Sequence, residues 1–209
     1  CVSGLEATGP SFVGRAEVLD RLSAWLGAAT QERTSGFVLR GPAGIGKSAL
    51  CREIAAQAER RGWTVLRVDA TLSGRPYGVI ASIAERLILA DRALLDGVGG
   101  AARTVLALLS PLAQPAAQPL GPLGRHQVVG AIRRVLTQAS AGQDLLLQVD
   151  DAHLIDDADA DVLSQLVMAG APVNLLLAMR PGAPGTTLSR AISRLQRAGA
   201  LLVVDLGPL

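Results

Sequence analysis

The stretch that most constrains how this chain can fold is Gly41-Pro42-Ala43-Gly44-Ile45-Gly46-Lys47-Ser48, which fits the pattern G-x-x-x-x-G-K-[ST]. Glycines at 41, 44 and 46 let successive backbone N–H groups turn inward around an anion. The helix that follows adds the partial positive charge of its N-terminus. Such a loop has to sit between a strand and a helix. Gly36 to Arg40 reads as a short buried strand, and Lys47 to Arg61 as the helix. In that setting residues 41–48 together with Ala49 cradle nucleotide phosphates. Lys47 bridges the β- and γ-phosphates and the Ser48 hydroxyl ligates Mg²⁺, so ATP or ADP with Mg²⁺ is the expected ligand. Composition supports the assignment of Lys47. The chain has 19 arginines and one lysine, and that lysine is Lys47. A compact ammonium stands where a point charge must fit between phosphate oxygens, which a planar guanidinium does badly.

The rest of the chain alternates strands with helices. Trp63 to Asp69, Asp144 to Asp150, Val173 to Met179 and Leu201 to Leu206 read as strands. Helices are expected over Gly14 to Leu26, Tyr77 to Leu89, Arg125 to Ala141 and Thr187 to Ala198, with Asp156 or Asp157 capping another that runs to Ala169. Asp91 to Ala113 looks helical with a break near Gly97 to Gly100. Gln114 to Gly124 holds three prolines in eleven residues and reads as a loop. This alternation predicts a mostly parallel sheet covered on both faces. Residues 1–35 then form an N-terminal segment and helix. Residues 36–209 form the core, with a Pro/Ala-rich loop over 113–124.

A second constellation follows the third strand. Leu145 to Val149 is apolar at four of five positions and ends in Asp150 and Asp151, at the strand edge where open α/β sheets bind ligands. Asp150 either holds Mg²⁺, through water or via Ser48, or caps the loop. Asp151 either orients and deprotonates an attacking water or shares that capping. His153 either touches the γ-phosphate region, orients Asp151, or bonds the loop backbone. Arg180, at the end of the fourth strand, either senses the γ-phosphate or is a solvated strand end. Phe12-Val13-Gly14-Arg15 either packs on the adenine or is a hydrophobic staple before the first helix. Cys51 reads as a small core residue.

Several classes are disfavoured. No apolar run approaches the ~20 residues that span a bilayer, and no signal peptide is visible at Cys1. With only two cysteines in the chain, a reduced cytoplasmic setting without membrane association is expected. The net charge is +2, and the arginines look scattered rather than gathered into a basic stripe, so direct DNA binding by this stretch is not expected.

Taken together, Phe12 to Arg15, the loop Gly41 to Ser48, Asp150-Asp151-Ala152-His153 and Met179-Arg180-Pro181-Gly182 resemble the ATPase domain of the STAND class. The similarity is greatest to the large ATP-binding regulators of the LuxR type. Arg75-Pro76-Tyr77-Gly78 and the helix from Arg125 to Leu136 fit the same group, whereas Leu154 occupies a position where that family often has Trp. The resemblance implies an AAA-like, three-layer αβα P-loop NTPase sandwich with a five-stranded parallel sheet of order 5-1-4-3-2. It also implies helical, repeat and DNA-binding domains beyond Leu209, so that DNA is contacted only through those domains, and self-association on ATP binding. The function expected is a slow ATP-hydrolysing switch, with Asp151 where many relatives carry the longer Glu. The alternatives are a ring-forming motor ATPase with Arg190, Arg194 or Arg197 acting in trans, a non-hydrolysing oligomerisation scaffold, and a small-molecule kinase. The kinase is disfavoured by the Asp-Asp-x-His sequence and by the lack of a lid of clustered arginines.

Overall fold

A computed structural model describes residues 15–28, 35–72, 76–110, 124–182 and 185–208. The expectations for Phe12, Val13, Gly14 and Arg75, and for nearly all of the Pro/Ala-rich loop, fall outside those residues.

Five short strands form one parallel sheet: β1 (Gly36–Arg40), β2 (Thr64–Asp69), β3 (Leu145–Asp150), β4 (Asn174–Met179) and β5 (Leu201–Asp205). Their spatial order is β2-β3-β4-β1-β5, which is the expected 5-1-4-3-2 read from the other edge. The three central strands are almost wholly apolar because both of their faces are covered. The helices are α1 (Ala16–Ala28), α2 (Lys47–Arg60), α3 (Gly78–Ala90), α4 (Gly100–Leu109), α5 (Arg125–Ala139), α6 (Asp157–Met168) and α7 (Thr187–Arg197). The region expected to be helical after Asp91 is a 3-10 turn, Arg92–Leu95, followed by α4. The Gly97 to Gly100 stretch separates the two, since glycine gains least from a helical backbone.

Alternation along each strand sorts the core into two layers. On one face, Phe37 and Leu39 of β1, Leu146 of β3 and Leu176 of β4 pack on Leu22, Trp25 and Leu26 of α1 and Leu50 and Ile54 of α2. On the other, Val38, Leu147, Val149, Leu175 and Leu177 pack on α3 to α7. The Trp25 and Phe37 rings lie 5.7 Å apart and tilted by 54°, an aromatic contact that helps seat α1. α1 therefore packs beside α2 on this face of the sheet.

Both exit points that matter for function lie at the C-terminal edge of the sheet. β1 runs into the glycine loop and β3 runs into Asp150 and Asp151.

Candidate nucleotide site

The glycine loop closes on itself through its lysine. Gly44 and Gly46 adopt φ of 74° and 98°, which side chains rarely tolerate, and Gly46 stands at the N-terminus of α2. Gly41 is required for a different reason. A Cβ there would lie 2.8 Å from the Leu206 carbonyl oxygen, because β1 and the segment leaving β5 are tied by Leu206 N–H donating to Arg40 O at 2.7 Å. The Lys47 ammonium donates to the carbonyls of Gly41 at 2.9 Å and Pro42 at 2.8 Å. It is buried, with only 8% of the residue exposed. Among the described residues it has no carboxylate within ion-pairing distance. An enclosed positive charge with only two carbonyl dipoles for company is a poor arrangement unless an anion joins it.

The strand-end acids reach the same side. Asp150 follows Leu146 and Gln148 in the alternation of β3, so it faces α2, not α3 to α7. Cys51 lies one turn beyond Lys47 and feels both charges. Burial pushes its thiol above the ordinary range, the Asp150 carboxylate pushes further, and Lys47 opposes. Cys51 is fully buried, as expected of a core residue, and is no thiolate nucleophile. One Asp150 oxygen accepts the Asp151 N–H at 3.0 Å.

Asp151 sits in the left-handed region at φ 47°, ψ 38°, a conformation that costs a non-glycine residue about 1 kcal/mol or more. It breaks the strand abruptly and starts a 3-10 turn, Ala152–Leu154. That turn brings His153 Nδ1 to 3.8 Å from Asp151 Oδ1, beyond hydrogen-bond range. The same nitrogen is buried and has no hydrogen-bond partner. Of the three sequence options for His153, a hydrogen bond from Nδ1 to the loop backbone is not made. Leu154, at the position of the family tryptophan, is half exposed.

Arg180 leaves β4 at its C-terminal end, beside β3 as expected, exposed and without an ion pair among the described residues. The Arg15 guanidinium donates to Gly207 O at 2.6 Å while its Nε is buried without a partner. It thus ties the start of α1 to the chain leaving β5. Arg40 and Asp205 bridge β1 and β5 with bonds of 2.5 and 2.8 Å. The Arg40 guanidinium holds the Asp205 carboxyl below the usual carboxylate range.

One structural residue near the site escaped the sequence reading. Asp159 is fully buried and accepts from Val79 N–H at 3.0 Å and Ile80 N–H at 2.9 Å. The α6 helix thereby caps the N-terminus of α3 through tertiary contact. Asp156 caps α6 itself through the Asp159 N–H at 2.7 Å. Burial pushes the Asp159 carboxyl up to about 6; the two N–H bonds oppose the shift and the Asp156 charge adds to it. Tyr77, just before α3, is the other non-glycine residue with positive φ among the described residues.

For the expected magnesium, the fit is a two-residue one. Ser48 and one free oxygen of Asp150 are the donors present. No group of three or more His, Cys, Asp or Glu that could hold a metal occurs among the described residues. A hydroxyl plus one carboxylate, with water and phosphate completing the shell, suits Mg²⁺ rather than zinc.

With this geometry, a family model described as "AAA ATPase domain" matches residues 11–178. The chain belongs to that family. Solved structures resemble this AAA ATPase domain at low identity. An Aeropyrum pernix ORC1 protein in complex with DNA shares 19% identity with a TM-score of 0.59, over 96% of this chain and 48% of that one. A chain of Drosophila ORC bound to AT-rich DNA and Cdc6 shares 15% at 0.55, over 91% and 55%. Another, from Drosophila ORC bound to GC-rich DNA and Cdc6, shares 13% at 0.51, over 100% and 64%. These likenesses concern the fold, and the AAA domain spans about half the length of the first two. No curated protein matches. No helix among the described residues is long and apolar enough to cross a membrane.

Proposed function

We propose that this AAA domain binds ATP with Mg²⁺ and hydrolyses it slowly, as the switch of a LuxR-type STAND transcriptional regulator. The observation that carries the nucleotide reading is the buried ammonium of Lys47, with no ion pair among the described residues, inside a loop whose glycines at 44 and 46 leave the backbone bare. Backbone N–H groups of residues 43–49 and the Lys47 ammonium hold the phosphates. Ser48 and Asp150 would hold the magnesium ion, which when bound neutralises charge on the phosphoryl oxygens. Asp151 orients the attacking water and takes its proton. His153, whose Nδ1 lies unpartnered 3.8 Å from that carboxylate, would orient it by closing to hydrogen-bond distance when nucleotide is bound. Arg180, free at the edge of β4, reads the γ-phosphate.

Slowness is argued from the shortness of Asp151 against the Glu of many relatives, and from its strained backbone. Regulation is argued from the Asp-Asp-x-His and Met-Arg-Pro-Gly motifs. ATP binding drives self-association, and DNA contact belongs to domains beyond this stretch, in a cytoplasmic protein.

A second reading has an observation of its own. Arg190, Arg194 and Arg197 line one open cleft along α7. In a ring-forming ATPase such arginines act on a neighbour's nucleotide. Two of them are already engaged within the chain, Arg190 with Thr187 and Arg194 with Ser164, which favours the switch.

Single-turnover hydrolysis of MgATP separates these readings. The wild type should turn over in minutes to hours at a rate independent of protein concentration, and Asp151→Asn should retain ATP binding but lose at least ten-fold in rate. A rate that climbs steeply with concentration and collapses in Arg194→Ala would establish the motor. Binding with no turnover at all would leave a scaffold.

A further inference from the structure

The phosphate loop occupies the C-terminal edge of the sheet, and a second concavity opens at the opposite edge. It is a cavity of about 440 Å³ where the end of α5 meets the Gly97 to Gly99 turn and the turn after α6, within the size range of small-molecule sites. Its charged lining is one-sided. Arg133 and Arg134 on α5 face it together with Thr137 and Gln138. Both arginines are exposed, and among the described residues neither has an ion-pair partner. No carboxylate lines the cavity. The nearby Asp96 turns to Arg103 instead, at 3.9 Å.

The opposing walls carry little side chain, from Gly97, Gly99, Ala169, Gly170 and Pro172. A Cβ at Gly99 or at Gly170 would meet nothing within 4 Å, so these turns leave open space where side chains would otherwise intrude. Gly97 lies flush on α5, its Cβ position only 2.9 Å from the Gln138 carboxamide, which fixes the distance between the turn and the arginine pair. Thr137 donates its hydroxyl proton to Arg133 O at 2.8 Å. The side-chain donors that remain among the lining residues are the two guanidinium forks and the Gln138 amide. Adjacent forks of this kind match a pair of neighbouring anionic groups, each able to take two parallel N–H bonds. The site is a concave recess with walls on three sides, which suits a small ligand better than the smooth backbone of a duplex.

We propose that this recess is a second anion site, taking a small phosphorylated metabolite with adjacent charged groups, of diphosphate or nucleotide size. It is separate from the ATP site and independent of the function proposed above.

The test uses inorganic pyrophosphate as probe, measured by titration calorimetry at about 0.15 M salt. Because the glycine loop also binds phosphates, the measurement is made on the Lys47→Ala chain and on the same chain carrying R133Q and R134Q. Saturable pyrophosphate binding that survives Lys47→Ala and weakens at least ten-fold on adding the two glutamines is the expected result. In the otherwise wild-type chain the same pair should leave MgATP affinity and the thermal midpoint unchanged. Three outcomes would overturn the proposal. One is the loss of all pyrophosphate binding in Lys47→Ala alone. Another is weak, non-saturating uptake that sulfate reproduces, meaning an adventitious ion only. The third is arginine-dependent binding of a 20-base-pair duplex without binding of pyrophosphate.

Discussion

At the scale of single residues, the site depends on groups whose environment leaves them one correct choice. Lys47 is enclosed, and its ammonium fits between two carbonyl oxygens less than 3 Å away. A guanidinium is wider and planar and cannot occupy that point without moving the loop. Lys47→Arg should therefore weaken MgATP binding by at least ten-fold despite keeping its charge, measured by calorimetry or nucleotide-analogue fluorescence; near-normal affinity would contradict the account of the loop. Gly41 is constrained by contact, since its Cβ position collides with the Leu206 carbonyl. Gly41→Ala should cost on the order of 1–3 kcal/mol in chemical denaturation and lower ATP affinity as well, because backbone on both sides must yield. A loss of affinity at unchanged stability would show that Gly41 serves the ligand alone.

At the scale of elements, the most informative contact is the cap that α6 provides for α3. Asp159 satisfies two of the N–H groups that a helix N-terminus leaves orphaned. It does so from a fully buried position, so its carboxyl holds a proton more tightly in the folded state than in the unfolded one. Between about pH 4 and pH 6 the folded chain then binds more protons at this site than the unfolded chain. Stability contributed by Asp159 is thus fully present below about pH 4 and is lost as the pH rises through about 6. Compared with Asp159→Asn, the wild type should lose roughly 2–3 kcal/mol of relative stability across that window, read from denaturation midpoints at pH 4 to 7. A flat difference would mean that the two N–H bonds offset the burial completely.

The same contact shows what a sequence leaves hidden at this scale. Asp156, at the start of an apolar-periodic run, is legible as a cap because its partner is three residues away. Asp159 is not, because its partners are about 80 residues distant and nothing local marks it as buried. The Gly97 to Gly100 break and the strand limits were legible within a residue or two, since glycine and apolar runs act locally. The arginine groups were legible as neighbours along a helix, but not what they line: Arg190, Arg194 and Arg197 of α7 border one cleft, and Arg133 and Arg134 of α5 border one recess.

At the scale of the whole molecule, stability should come from the two apolar layers and little from surface charge. Phe37, fully buried between β1 and α1, should cost about 3–5 kcal/mol on change to Ala. Asp205→Ala removes the Arg40 pair at the exposed sheet edge and should cost at most about 1 kcal/mol. Urea denaturation of both variants checks the contrast, and comparable losses would mean that the β1–β5 edge is held by its ion pair. The sequence by itself determined the glycine loop, the five strands, the paired acids after β3 and the class of sheet, because each is written in residues that are neighbours along the chain. Only the tertiary structure decided that Asp150 faces α2, that Asp151 is held left-handed with His153 3.8 Å away, and that Lys47 is buried with no ion pair among the described residues. Strand pairing and helix packing bring together groups a hundred residues apart, and burial, which sets their charge and their partners, exists only once they have met.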